Sequence, residues 1–205
     1  VCQSPGGAVF SMAPSHLEKA FERIDEIHAE DPVQDRDEDQ EVPRELLYAR
    51  RLSTWVERLN PKASEALRLA ARCQHLKRWA IPRKDYPMGR AGYYQWKTAQ
   101  ARAHADLASQ ILQEVGYDQA TIDRVAALVR KENLRSDVDT QTLEDAACLV
   151  FLESEFAQFL KKHPEEKIVD IVKKTWAKMS PAAQDEALDI PLPKDARKLV
   201  EKALG

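Results

Sequence analysis

Apolar residues recur at helical spacing along most of the chain, and this periodicity limits its fold more than any other feature. The segment LEDAACLVFLESEFAQFL, residues 143–160, carries the strongest pattern, because Leu149, Leu152, Phe156 and Phe159 fall on one face. No stretch alternates apolar and polar residues over a useful strand length, and no internal repeat occurs. The sequence therefore predicts an all-α fold, a compact helical bundle with additional helices at its C-terminal end.

Capping residues, prolines and glycines indicate where the predicted helices begin and end. The predicted helices cover residues 15–28, 43–59, 61–79 and 96–115, and two more begin at 118 or 121 and at 140 or 142. His75 then falls in the last turn of the third helix. The acidic run DPVQDRDEDQE, residues 31–41, is interpreted as a solvated loop, and residues 81–96 as the longest irregular segment.

Length and charge set further limits. A chain of 205 residues supports one domain with a sizeable core, which we place at residues 15–179. Residues 1–14 are interpreted as a disordered extension, and residues 180–205 as a helical extension packed on the domain. The formal net charge of -3 gives no general attraction to nucleic acid or to an anionic membrane. Three widely separated cysteines favour a reducing cytoplasm, and the oligomeric state stays open.

Two inward-facing polar residues mark a candidate site. Asp145 points the same way as the core residues of its helix, and a buried carboxylate needs a metal, a cation or a hydrogen-bond donor. Lys131 is one candidate cation. His75 ends an apolar run, where a hydrogen-bonded core histidine and a metal ligand are both open interpretations.

Several strings in the chain are specific to a known family. ELLYARRLSTWVERL, RCQHLKRWAIPR, YPMGRAGYYQW, LEDAACLVFLE and KTWAKMS lie between Glu45 and about Met179. Together they resemble an uncharacterised conserved family, a domain of unknown function whose fungal members often carry a glutamyl-tRNA synthetase label. The sequence lacks the nucleotide-binding signature and the alternating strands and helices that a tRNA-charging enzyme needs.

The order of the helices is also similar to the HD-domain superfamily of metal-dependent phosphohydrolases. That resemblance implies an HD-like helical bundle in which His75, His104 and Asp145 are metal ligands. Leu76 stands where the superfamily has an aspartate, and Tyr48 lies near the position of its first histidine. The ligand set is therefore only partly present.

Two functions follow from these residues. The first is a metal-dependent hydrolase of a small phosphorylated or nucleotide-like substrate, using Mn, Fe, Zn or Ni. Its predicted catalytic residues are Glu132, Glu144 and Lys131, and its predicted substrate-binding residues are Arg78, Arg83, Arg90 and Tyr86. The alternative is a non-enzymatic domain with a metal-free pocket that binds an anion or a partner.

Overall fold

The computed structural model describes residues 13–205, so nearly all of the extension predicted for residues 1–14 lies outside the described residues. Ten α-helices and one β-hairpin form the described chain. They are α1 (His16–His28), β1 (Gln34–Asp37), β2 (Gln40–Pro43), α2 (Arg44–Leu59), α3 (Glu65–Arg72), α4 (Gly89–Val115), α5 (Gln119–Val129), α6 (Val138–Val150), α7 (Phe156–Lys162), α8 (Glu165–Trp176), α9 (Pro181–Asp189) and α10 (Lys194–Leu204). The predicted all-α class is confirmed. Between Ala13 and Gly205, no helix is both long and apolar enough to cross a membrane.

Local sequence signals explain several helix ends. Ser15 and Glu18 form a capping box, in which each side chain accepts a hydrogen bond from the other residue's backbone N–H. Asp118 caps α5 through the backbone N–H of Thr121. Gly116 ends α4 with a φ of 99°, a left-handed conformation that glycine adopts without steric cost. These three ends agree with the sequence prediction.

The core lies between the first six helices. α2 packs along α6, α4 packs along α5, and α3 lies against both α2 and α5. The predicted inner face of the 143–160 segment is buried, with Leu149, Leu152 and Phe156 almost fully enclosed. Each such side chain contributes about 2 kcal/mol through burial, so this face fixes the end of α6 and the start of α7 in the bundle. α9 packs on α6, and α10 packs on α8.

The acidic run predicted as a loop forms a hairpin instead. Gln34 pairs with Pro43 and Asp37 pairs with Gln40, so Glu38 and Asp39 make a two-residue turn. Its strands are polar and mostly exposed, which is why no apolar alternation marks them in the sequence. Buried Asp31 accepts hydrogen bonds from the backbone N–H groups of Val33 and Glu45 and so ties the hairpin's base to the start of α2.

The segment from His75 to Met88 also differs from the prediction. α3 ends at Arg72 rather than near residue 79, and His75 follows it with a left-handed φ of 65°. α4 begins at Gly89, so part of the predicted irregular segment is helical. Gly92 lies against the Pro87 carbonyl, where an added Cβ would be 1.9 Å from its oxygen. Glycine at that position therefore allows the loop to turn tightly into the helix.

Candidate functional site

His75 lies at the centre of a polar cluster beside the end of α3. Its Nδ1 is 2.9 Å from the Glu45 carboxylate, and its Nε2 is 2.7 Å from the Arg78 guanidinium. Because a guanidinium can only donate, Nε2 is the accepting nitrogen and Nδ1 carries the proton that Glu45 accepts. The Tyr48 ring stacks on the imidazole at a centroid distance of 4.1 Å. Both nitrogens and one face of His75 are thus engaged.

His104, on α4, is the second histidine of the cluster. Its ring centroid is 5.9 Å from that of His75, so the two histidines lie side by side. Burial, then the neighbouring His75 and Arg78, lower the pKa of His104 to about 3. Burial and Arg78 also hold the pKa of His75 well below its ordinary value. Both rings are therefore neutral near pH 7.

A cavity of about 630 Å³ opens beside these two histidines, and we call it the cationic cavity. α4, the end of α3 and the turn after α5 supply its walls. It is lined by Gln74, His75, Arg78, Tyr93, Tyr94, Trp96, Lys97, Thr98, Gln100, Ala101, Arg102, His104, Val129, Arg130, Lys131 and Glu132. Among residues 13–205, five cations and one carboxylate line it, so the cavity carries a positive charge.

Lys131 links this cavity to α6. Its φ of 55° is left-handed, an uncommon conformation for a residue with a side chain. Its ammonium group lies 2.5 Å from the Glu144 carboxylate, and Lys178 reaches the same carboxylate at 3.4 Å. Burial alone would raise the pKa of Glu144, but Lys131 and Lys178 outweigh it and lower the pKa to about 2. Two lysines therefore share one carboxylate.

Lys97 adds a third ammonium group to this neighbourhood. Partial enclosure, then the positive charges of Lys178 and Lys131, lower the pKa of Lys97. Its ammonium group also lies 5.8 Å from the centre of the Tyr93 ring. Lysines that repel one another around a concave site are typical of a place where an anion binds.

The residues predicted to hold a substrate are only partly brought together. Arg78 lines the cationic cavity and packs over the Trp96 ring at 5.1 Å. Arg83 instead donates to the backbone carbonyl oxygens of Tyr86 and Gly89, at 3.0 and 3.4 Å, and so holds its own loop. Arg90 is exposed beside the Tyr94 ring. Arg83, Tyr86 and Arg90 are not among the residues that line this cavity.

Asp145 faces a different part of the molecule. Its carboxylate accepts hydrogen bonds from the Ser180 N–H at 2.8 Å, the Ser180 hydroxyl at 2.6 Å and the Gln141 amide at 2.8 Å. Lys131, proposed from the sequence as its cation, pairs with Glu144 instead. Asp145 therefore joins α6 to the start of α9 and lies outside the set formed by His75, His104 and Glu132.

A metal held by His75, His104 and Asp145 does not fit this arrangement. Such a site needs nitrogen lone pairs directed at one ion, but the free lone pair of His75 already accepts from Arg78. The three Asp145 hydrogen bonds occupy both oxygens of the third predicted ligand. Within the described chain, His, Cys, Asp and Glu residues form no group of three or more that could hold a metal ion.

A second cavity, of about 520 Å³, lies on the other side of His75 and Arg78, which line both cavities. The hairpin, α2 and the segment Phe151–Glu155 surround it. That segment is a π-helical turn between α6 and α7, a feature often found at functional sites. Glu45, Tyr48 and Glu155 line this cavity together with Arg44.

Sequence reasoning missed five residues of the site: Glu45, Gln74, Lys97, Gln100 and Lys178. Glu45 lies three positions before Tyr48, so helical spacing already placed a carboxylate on the inner face of α2. Gln100 shares the face of His104 and Ala108, which marked it as an inward amide. Gln74 and Lys97 gave no comparable signal, because their positions depend on how α3 and α4 meet.

Comparison with known proteins gives a family but no activity. Residues 18–200 match the family model described as "Domain of unknown function (DUF4202)". The chain belongs to this family. The match runs from α1 into α10, so the histidines, the lysines and both cavities lie inside the family domain. A search of curated proteins found no match, and a search of solved structures found none either.

Proposed function

We propose that this protein binds a small anionic molecule, such as a phosphate-bearing metabolite, in the cationic cavity and does so without a metal. The observation that carries the proposal is the grouping of Lys97 and Lys131, which line the cavity, with Lys178 near the carboxylate of Glu144. Three positive charges against one negative charge leave an excess that an anion would balance.

Arg78 supplies the second part of the argument. Its guanidinium lies in the wall of the cationic cavity, where it donates to a neutral histidine rather than to a carboxylate. A guanidinium keeps its charge and offers paired donors that match phosphate or carboxylate oxygens. Within residues 13–205, Arg78 therefore has no direct ion pair that an anion would have to break.

Shape and strain also favour a binding role. The volume of about 630 Å³ suits a molecule of metabolite size. Two residues of its wall, His75 and Lys131, have left-handed φ angles of 65° and 55°. Backbone strain of this kind persists where the surrounding structure enforces it, and it is concentrated at functional sites.

Titration with inorganic phosphate tests the proposal. Lys97→Ala should weaken phosphate binding roughly fivefold, because it removes about 1 kcal/mol of charge-assisted contact. Lys19→Ala is the matched control, since Lys19 is an exposed lysine on α1 outside the cavity. Isothermal titration calorimetry at low ionic strength would measure both affinities. Equal phosphate affinity in native protein and Lys97→Ala would contradict the proposal.

The likeness to HD-domain phosphohydrolases, and with it a metal-dependent hydrolase, stays a hypothesis. The distance of 5.9 Å between the His75 and His104 rings supports a shared ancestry of the pocket. The pairing of His75 with Glu45 and Arg78 argues against a metal there. Metal analysis of the native protein after addition of manganese, iron, zinc or nickel separates the two functions, because a hydrolase of this type should retain one of them.

A further inference from the structure

We infer that the anion bound in the cationic cavity carries a neutral head group that both donates and accepts hydrogen bonds, which Gln74, Gln100 and His104 recognise. This inference rests on the proposed function and adds the chemical class of the ligand. It comes from three polar atoms that the protein itself leaves without partners.

The three atoms are Gln74 Nε2, Gln100 Oε1 and His104 Nε2. Over residues 13–205, five buried side-chain nitrogen or oxygen atoms lack a hydrogen-bond partner in the protein, and these are three of them. Their residues are only 6%, 5% and 4% exposed, and all three line the cationic cavity. A buried polar atom without a partner destabilises the protein. Three such atoms in residues that line one cavity therefore favour a ligand that pairs with them.

The orientation of Gln100 follows from its neighbours. Its Nε2 lies 2.9 Å from the backbone carbonyl oxygens of both Arg78 and Ile81. Carbonyl oxygens only accept, so the nitrogen must be on that side and Oε1 must face the other way. Gln100 thus offers an acceptor to the ligand, whereas the Gln74 amide, which no hydrogen bond orients within residues 13–205, offers either its NH2 donor or its oxygen acceptor.

His104 can serve either role because it is neutral. Its pKa of about 3 means that one ring nitrogen carries a proton and the other accepts. A head group that meets the fixed acceptor of Gln100 must donate, and the Gln74 amide and the His104 ring each pair with an acceptor on the same group. Beyond its phosphate, an alkyl phosphate has no such group.

Two sources share this chemistry: the hydroxyl groups of a sugar or polyol, and the amide edge of a lactam ring. In the structure Gln74 Nε2, Gln100 Oε1 and His104 Nε2 are enclosed by neighbouring side chains. The head group therefore reaches them only when those side chains change position. The phosphate would stay with Lys97, Lys131 and Arg78, while the head group occupies the Gln74, Gln100 and His104 side of the cavity.

A pair of small phosphates tests the inference. Glycerol 3-phosphate and propyl phosphate have the same chain length, but only the first carries two hydroxyl groups. Glycerol 3-phosphate should bind roughly tenfold more tightly, since one or two extra hydrogen bonds are worth about 1.4 kcal/mol together. Uridine monophosphate is the third ligand, and tighter binding of it than of glycerol 3-phosphate would identify a lactam head.

Two variants connect that preference to the cavity wall. Gln74→Met keeps the side-chain volume nearly unchanged, His104→Phe enlarges it slightly, and each removes one of the unpartnered atoms. Each should reduce the preference for the best head-bearing ligand over propyl phosphate at least threefold. Circular dichroism melting of both variants checks that the fold is kept.

The outcomes separate this inference from the proposed function. If all phosphates bind with equal affinity and Lys97→Ala weakens all of them, the head-group inference is wrong and the anion site stands. If no phosphate binds, the proposed function fails as well. If the preference is present but survives both variants, another part of the cavity recognises the head group, and the inference is again wrong.

Discussion

Asp145, at the junction of α6 and α9, and His104, in the wall of the cationic cavity, are equally buried, but they differ in how their polar groups are satisfied. Asp145, 4% exposed, accepts three hydrogen bonds from Gln141 and Ser180. His104, also 4% exposed, keeps a nitrogen that has no partner between residues 13 and 205. Burial alone therefore does not distinguish a structural polar residue from a functional one, whereas the pairing of its polar atoms does.

The largest expected effect on the free energy of unfolding is at Asp145, whose carboxylate oxygens are hydrogen-bonded. Asp145→Ala removes the acceptor of three donors and leaves the start of α9 without its anchor on α6. We expect a loss of about 4 kcal/mol in the free energy of unfolding, because these hydrogen bonds are charge-assisted and buried. Denaturant unfolding measures the loss. Phosphate affinity should not change.

Asp170→Ala is the control for that variant. Asp170 pairs with Lys174 on the exposed face of α8, where an ion pair contributes at most about 0.5 kcal/mol. A comparable loss of unfolding free energy in both variants would show that Asp145 is no more important to stability than a surface carboxylate. The contrast between Asp145 and His104 would then be wrong.

A smaller effect on stability is expected from Glu144. This residue is next to Asp145 in α6 and pairs with Lys131 in the wall of the cationic cavity. Its pKa of about 2 in the folded protein lies below the ordinary value of 4.5. A group whose folded pKa is lowered stabilises the protein above its unfolded pKa and loses that contribution as the pH falls. The native protein should therefore lose about 2 kcal/mol from this group between about pH 4.5 and pH 2, a reduced figure because Lys131 and Lys178, which pair with it, are themselves partly exposed.

Glu144→Gln sharpens that prediction. The variant should be less stable than the native protein at pH 7, and its stability should fall less between pH 4.5 and pH 2. Phosphate should also bind the variant about threefold more tightly at pH 7, because Lys131 and Lys178 are no longer neutralised. Parallel acid dependence in the two proteins would show that the ion pairs of Glu144 contribute little.

The smallest expected effect on stability is the difference between substitutions of two glutamines, Gln141 and Gln74. Gln141 donates to Asp145 and to the Lys178 carbonyl oxygen, each at 2.8 Å, whereas Gln74 Nε2 has no partner in the described chain. Gln141→Met should cost about 1.5 kcal/mol, and Gln74→Met should be neutral or stabilise the free protein by up to about 1 kcal/mol. Thermal unfolding of both variants without ligand measures the difference. Equal destabilisation would mean that Gln74 is structural.

The sequence predicted most of the fold but only part of the site. The helices depend on local signals, whereas the site depends on how the helices pack. Helical spacing and caps such as Ser15 are local, so they indicated α1, α2 and α5 directly. Spacing also identified Asp145 as inward-facing, which is correct. It could not show that Glu144, one position earlier and buried too, is the residue that meets Lys131. That choice depends on how α6 packs against its neighbours.

Two further differences have similar causes. The hairpin was not predicted because its strands are polar and show no apolar alternation. A two-residue turn joins the strands, which pair through their backbones. His75 was placed in a helix because a left-handed residue that is not glycine leaves no mark in the apolar pattern. Tertiary contacts with Glu45 and Arg78 hold it there, and no local signal reports them.

The charged hairpin has a consequence for the behaviour of the protein at high concentration. No third strand within residues 13–205 pairs with β1 or β2, so both outer edges carry backbone groups that another chain's strand could join. β1 consists of Gln34, Asp35, Arg36 and Asp37, and β2 ends in Pro43, which has no N–H to donate. A strand that approached either edge would have to desolvate these charges or lose a ladder bond. The hairpin is therefore protected against edge-to-edge aggregation by its own composition.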